Sequence, residues 1–302
     1  MTRVWLPDPP EALGGLPDGM VADVWTGGEP LPASEDEVEV IVLPQRVRPE
    51  TLATVARLPN LKLVQLTSAG AERVIPYIPP HVTLCNARGA HDAATAEWTV
   101  AAILGALREF PLFAREQAAS RWTYQPTDQL AEKTVLIVGY GSIGAAVERR
   151  LAGFEVSVLR VARGPRAGVA GLAELPALLP AADVVVLLVP FTPETKGMVD
   201  AGFLSRMKDG ALLVNAARGA VVDTAALCAE VAAGRLRAAL DVTDPEPLPP
   251  SHELWTLPGV FITPHVAAST PVSQQRVVRL AREQAEAYLR GDRLRNVITG
   301  TY

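Results

Sequence analysis

The segment Gly139-Tyr140-Gly141-Ser142-Ile143-Gly144 constrains this chain more than any other feature, because it lies between an apolar run at 134–138 and a helical pattern at 143–152. A strand that turns sharply into a helix uses the first glycine for the tight turn and the third for close strand–helix packing. The second lets backbone approach a phosphate, and the helix start supplies N–H donors and a favourable dipole. Gly139, Gly141, Ser142, Ile143 and Gly144 are therefore candidate contacts to a dinucleotide pyrophosphate. A glycine-rich turn alone is a weak signal. Here it is followed by further apolar runs at 156–161, 183–188, 211–215, 238–242 and 260–263, with helical patterns between most of them, including 224–233. Six nearly continuous apolar strands joined by helices predict a parallel, doubly wound sheet buried on both faces.

The first part of the chain shows the same alternation. Apolar runs at 4–6, 38–43, 61–66 and 82–85 read as strands, and Arg48-Pro49-Glu50 opens a helical stretch. Asp92 is a plausible cap for an Ala-rich helix to about Arg108, and Pro111 restarts a second helix ending near Trp122. An amphipathic helix at 271–290 has no strand to feed, so it is expected to pack back on the first domain. The expectation is an α/β chain of two doubly wound domains, with a Rossmann-type domain at 98–269 inserted into a substrate domain of 1–97 and 270–302.

Composition removes several classes of function. With 28 basic and 33 acidic residues the net charge is -5, which argues against a nucleic-acid partner. No apolar run reaches the ~18 to 20 residues of a membrane span, and the N-terminal residues lack the pattern of a secretory signal. Cys85 and Cys228 are too few for a disulfide framework or a zinc site, so no metal is expected. A cytoplasmic protein follows as the expectation.

An NAD site calls for a carboxylate at the end of the second strand of the dinucleotide domain. That end reads Arg160-Val161-Ala162-Arg163-Gly164-Pro165-Arg166, and Glu155 precedes the strand. Arginines in place of a carboxylate favour a 2′-phosphate, so NADP is expected ahead of NAD. Arg163 leaves the strand at its carboxyl end and ranks first as phosphate ligand, Arg166 second; alternation turns Arg160 away.

Three later strand ends carry reactive types: Asn215-Ala216-Ala217-Arg218-Gly219, Asp241 to Pro247 with Glu246, and Thr263-Pro264-His265. A guanidinium fork, a carboxylate and an imidazole suit reduction of a 2-oxo acid. Each alone has an ordinary structural explanation. Their occurrence at successive strand ends behind a dinucleotide turn changes that reading. His81, His91 and His252 lack this placement and are read as structural or surface residues.

These motifs, with Val189-Pro190-Phe191-Thr192-Pro193-Glu194-Thr195, resemble those of the D-isomer-specific 2-hydroxyacid dehydrogenases over most of the chain. The resemblance implies a flavodoxin-like substrate domain built from both chain ends around the dinucleotide domain. It implies Arg218, Glu246 and His265 as the catalytic set and Asp241 facing the nicotinamide carboxamide, with Pro190, Thr195, Ala216 and Ala267 beside the cofactor. Ser68, Ala69 and Gly70 match the loop whose backbone amides hold the substrate carboxylate, alongside Arg218. The implied activity is reduction of a small 2-oxo acid such as glyoxylate or hydroxypyruvate, by a homodimer. A cofactor-sensing binding protein of the corepressor kind is the alternative, set against it by the near absence of a tail after the last helix.

There are departures from the family pattern. Ala267 and Ala268 stand where glycines often follow the histidine, and Thr243 replaces a larger apolar or aromatic residue. The ribose-binding Asp is missing, and no regulatory domain is expected after the last helix. Glu246 stands where formate dehydrogenases of the superfamily carry Gln.

Overall fold

A computed structural model describes residues 1–45 and 47–299. Its strands in chain order are β1 (Thr2–Leu6), β2 (Met20–Val24), β3 (Val38–Leu43), β4 (Leu63–Leu66), β5 (Thr83–Cys85), β6 (Thr134–Val138), β7 (Ser157–Ala162), β8 (Ala170–Gly171), β9 (Val184–Leu187), β10 (Leu212–Asn215), β11 (Arg237–Leu240) and β12 (Val260–Ile262). The helices are α1 (Pro49–Val55), α2 (Asp92–Leu107), α3 (Phe110–Ala118), α4 (Ser142–Leu151), α5 (Leu175–Leu178), α6 (Ala201–Arg206), α7 (Thr224–Ala232) and α8 (Pro271–Arg290). The chain divides into two compact units, one of Met1–His91 with the segment from Pro271 on, the other of Asp92–Thr270.

The first unit is a parallel sheet in the order β2-β1-β3-β4-β5, the flavodoxin-like order. Its inner strands β3 and β4 are largely buried on both faces. Trp5, Ile41 and Val64 enter one core, while Val4, Leu6, Val40 and Leu63 enter the other with Ala281 and Ala285 of α8. The last helix thus covers one face of the first sheet. The Ile298 amide donates to Leu84 O at 2.8 Å, laying the following segment along β5. β2 was not among the strands read from the sequence; at the sheet edge, Asp23 interrupts the apolar run of Met-Val-Ala-Asp-Val.

The second unit is a parallel sheet in the order β12-β11-β10-β9-β6-β7-β8. This is the Rossmann order extended by one strand, with the topological switch between β6 and β9. Seven strands stand where the sequence suggested six, because β8 has only two residues. Val135 and Ile137 of β6 pack with Ile103 of α2 and Val147 and Leu151 of α4. Leu136 and Val138 pack on the opposite face with Leu204 of α6 and Leu227 and Val231 of α7. Each such buried aliphatic side chain contributes about 1.5–3 kcal/mol.

Two boundaries differ from the sequence reading. Because α2 packs Ala96, Val100 and Ile103 into the core of the second unit, the units divide ahead of α2 and not within it. The helix restarted near Pro111 ends at Ala118, short of Trp122; Ser120 takes a left-handed φ of 54° and the Arg121 amide turns back to Glu116 O.

Candidate active site

In a parallel α/β sheet ligands gather at the carboxyl ends of the strands, near the switch point. The β6–α4 turn begins there. Gly139 has φ +101°, and a Cβ on it would sit 2.5 Å from Leu188 C, in the chain leaving β9. A Cβ on Gly144 would meet Ile137 Cγ2 at 3.1 Å. A Cβ on Gly141 would meet nothing within 4 Å. Gly139 is therefore demanded by packing and Gly144 is closely packed, while Gly141 leaves open space at the first turn of α4, where a pyrophosphate would be received. The residues present fit a dinucleotide.

The loops after β9, β10, β11 and β12 carry the reactive groups. After β9, Thr195 Oγ1 donates to Pro190 O at 2.7 Å and accepts the Thr192 amide at 2.9 Å, closing the turn. After β10, buried Asn215 accepts the Ala217 amide and donates to Arg218 O, both at 3.0 Å, so its side chain shapes the loop that presents Arg218. Arg218 Nη1 donates to Ala217 O at 2.7 Å.

After β11, Asp241 is buried, and its carboxylate is directed at the histidine loop. Oδ1 accepts from Thr263 Oγ1 at 2.6 Å and from the Val266 amide at 2.8 Å; Oδ2 accepts the Ala267 amide at 2.9 Å. Asp241 O accepts the His265 amide at 2.7 Å. These four bonds hold His265 at φ +56°, a region costly for most non-glycine residues. His265 Nδ1 lies 2.8 Å from Glu246 Oε1. A carboxylate only accepts, so Nδ1 carries the hydrogen and Nε2 is left to other partners. Both side chains remain 45% exposed, open to a ligand.

A family model for the D-isomer specific 2-hydroxyacid dehydrogenase NAD-binding domain matches residues 100–267. The chain is 31% identical over 309 residues to glyoxylate reductase/hydroxypyruvate reductase of Mus musculus, spanning 95% of this chain and 94% of that protein. It belongs to the D-isomer-specific 2-hydroxyacid dehydrogenases. It is also 32% identical over 294 residues to D-3-phosphoglycerate dehydrogenase of Archaeoglobus fulgidus, covering 93% of this chain but only 55% of that protein. Among solved structures, a D-isomer specific 2-hydroxyacid dehydrogenase from Xanthobacter autotrophicus Py2, in complex with NADPH and MES, superposes with a TM-score of 0.85 at 30% identity. That match covers 99% of this chain and 98% of the other.

In this chain the sites read from the sequence lie in both units. Ser68, Ala69 and Gly70 follow β4 in the first unit. Their carbonyls accept from the Ala87 amide at 2.8 Å, Asn86 Nδ2 at 2.8 Å and Ser68 Oγ at 2.7 Å respectively. In a trans peptide the N–H opposes the C=O, so the amides of Ala69, Gly70 and Ala71 are set the other way. His91 is buried, with Nε2 2.9 Å from Thr67 O.

The arginines after β7 differ among themselves. Arg160 is paired with Glu148 of α4, a partner the strand pattern did not name. Arg163 and Arg166 are exposed, and Arg166 Nη2 donates to Tyr140 O at 2.5 Å. Sequence reasoning missed Tyr140 and Glu148. The only signal available was a carboxylate in the helix covering the face to which alternation sends Arg160.

Proposed function

We propose that this dehydrogenase reduces a small 2-oxo acid of the glyoxylate/hydroxypyruvate class to the D-2-hydroxy acid, using NADPH in preference to NADH. The observation carrying this reading is the His265–Glu246 pair, held by Asp241 at the same sheet edge as the Arg218 loop and the open glycine turn. Glu246 fixes the ring through Nδ1, and Nε2 gives its proton to the keto oxygen as the carbonyl carbon is reduced. Arg218 pairs with the substrate carboxylate and polarises the carbonyl. The amides of the Ser68–Gly70 loop are assigned to that same carboxylate. A bound nicotinamide supplies the hydride. His265, being part-exposed, regains its proton from solvent.

For the cofactor, Gly139, Gly141, Ser142, Ile143 and Gly144 are assigned to the pyrophosphate, and Pro190, Thr195, Ala216, Asp241 and Ala267 to the nicotinamide half. Arg163 and Arg166 are assigned to the 2′-phosphate. Two points support NADP: the strand end lacks a carboxylate, and the Xanthobacter relative was solved with NADPH. The chain is proposed to act as a homodimer through the exposed Trp122 and Tyr124, in the cytoplasm, where its two free, buried cysteines would stay reduced. The relatives reported above are named as enzymes, and nothing in the site favours a corepressor-like binding protein.

The test is nicotinamide oxidation with NADPH and with NADH against a panel of 2-oxo acids. Catalytic efficiency highest for glyoxylate or hydroxypyruvate with NADPH supports the proposal. No turnover on any 2-oxo acid, or a preference for NADH, contradicts it.

A further inference from the structure

Arg160, Arg163 and Arg166 bring like charge to one strand end, yet each has different surroundings. Arg160 Nε donates to Glu148 Oε2 at 2.8 Å, Nη2 donates to Oε1, and the Tyr140 hydroxyl donates to Oε2 at 2.5 Å. These bonds, that of Arg160 foremost, hold the Glu148 carboxyl below its ordinary range, and the bond to Glu148 pushes the Tyr140 hydroxyl up. The charge of Arg160 is neutralised inside this cluster. Arg163 lies in the field of Glu194, whose carboxyl is lowered first by the Thr192 hydroxyl and further by Arg163.

Arg166 makes no ion pair among the described residues. A tight turn, closed by mutual amide–carbonyl bonds between Arg166 and Val169 at 2.9 and 2.8 Å, folds it back over Tyr140. Gly168, at φ +72°, permits that turn. The guanidinium lies 5.8 Å from the Tyr140 ring centroid and donates to the Tyr140 carbonyl, inside the glycine turn itself. An exposed arginine must surrender rotamer freedom to grip an anion. One already stacked and hydrogen-bonded has surrendered it beforehand, so less is lost when the ligand arrives.

We propose that Tyr140 is a positioning residue for cofactor choice: its ring and carbonyl hold Arg166 ready for the 2′-phosphate, while its hydroxyl, with Glu148, keeps Arg160 out of that role. This makes Arg166, ahead of Arg163, the principal phosphate ligand, and it rests on the NADP reading given above. Tyr140 need not touch the phosphate at all.

Calorimetric titration with adenosine 2′,5′-bisphosphate and with 5′-AMP isolates the 2′-phosphate without catalysis. The native protein should favour the bisphosphate. Arg166→Ala should cut that preference roughly tenfold, and Tyr140→Ala, which removes the ring, roughly three- to tenfold. Tyr140→Phe keeps the ring and should retain the preference within about twofold. Adding Tyr140→Ala to Arg166→Ala should cost nothing further, because the two act through one guanidinium. The affinity for 5′-AMP reports whether the turn is intact; should Tyr140→Ala weaken it, Tyr140→Leu takes its place. An undiminished preference in the ring-less variant, additive losses in the double variant, or a loss in Tyr140→Phe equal to that in Tyr140→Ala would each overturn the proposal. A native protein with no preference for the bisphosphate would instead overturn the NADP reading beneath it.

Discussion

A Cβ on Gly219 would lie 1.9 Å from the carbonyl oxygen of Thr243. The loop after β10, with Arg218, and the loop after β11, with Glu246, therefore meet backbone to backbone, and only glycine fits at the crossing. Gly219→Ala must push them apart. Displacement of about 1 Å at a reacting group can cost on the order of 10²-fold in rate. We expect kcat/KM to fall by about that factor. Steady-state kinetics on the best 2-oxo acid, beside a thermal melt that checks folding, measure it; unchanged kinetics would show that this contact does not position the site.

Asp241 organises the histidine loop from within the protein. In Asp241→Asn one oxygen becomes an NH₂ group, which either faces the Ala267 amide or displaces the Thr263 and Val266 bonds. The loss of buried, charge-assisted bonds should lower stability by about 1–3 kcal/mol. It should also reduce turnover, because His265 is held in its left-handed conformation by the same network. Chemical denaturation and turnover should move together; a full-rate, destabilised variant would confine Asp241 to the fold.

Much of this was legible in the sequence because it is local. The glycine turn, the reactive strand ends and α8 are each written in a few adjacent residues or in one periodicity. The contacts that tune the site are not local. Asp241 meets donors at 263–267 and Glu148 meets Arg160, so the types could be read but not the meetings. Alternation turns Arg160 away from the ribose, but the strand pattern does not show that Glu148 receives it. The exposed segment after α3 was extended as helix because Ser120 gives no sequence sign of its left-handed turn.

That segment carries the dimer proposal. Trp122 is 99% and Tyr124 87% exposed, an arrangement that usually marks an interface. On the dimer proposal the native protein should run as a dimer in light scattering at micromolar concentration, and replacing both residues with Ser should yield a monomer. A native monomer would refute the proposal.

The same segment is fastened by Glu116, which accepts from Arg121 Nε at 2.8 Å and from Thr123 Oγ1 at 2.7 Å. Arg121, and next Thr123, lower the Glu116 carboxyl from 4.5 to about 2. A folded-state value below the unfolded one means the clasp stabilises fully above 4.5 and is lost as pH falls through about 2. Glu116→Gln should therefore weaken the dimer at neutral pH, and its effect should shrink as acid removes the native clasp. Sedimentation of both proteins across that range checks it; an effect that did not shrink in acid would contradict the clasp.

His265, held by Glu246, is proposed as the proton donor for reduction of a 2-oxo acid. Single-turnover reduction of glyoxylate or hydroxypyruvate by the NADPH-loaded protein tests it most directly, native beside His265→Ala. Loss of a general acid typically costs about 10²- to 10⁴-fold. His265→Ala should lose activity in that range with NADPH binding retained. Reduction by His265→Ala at a rate near that of the native protein would contradict it.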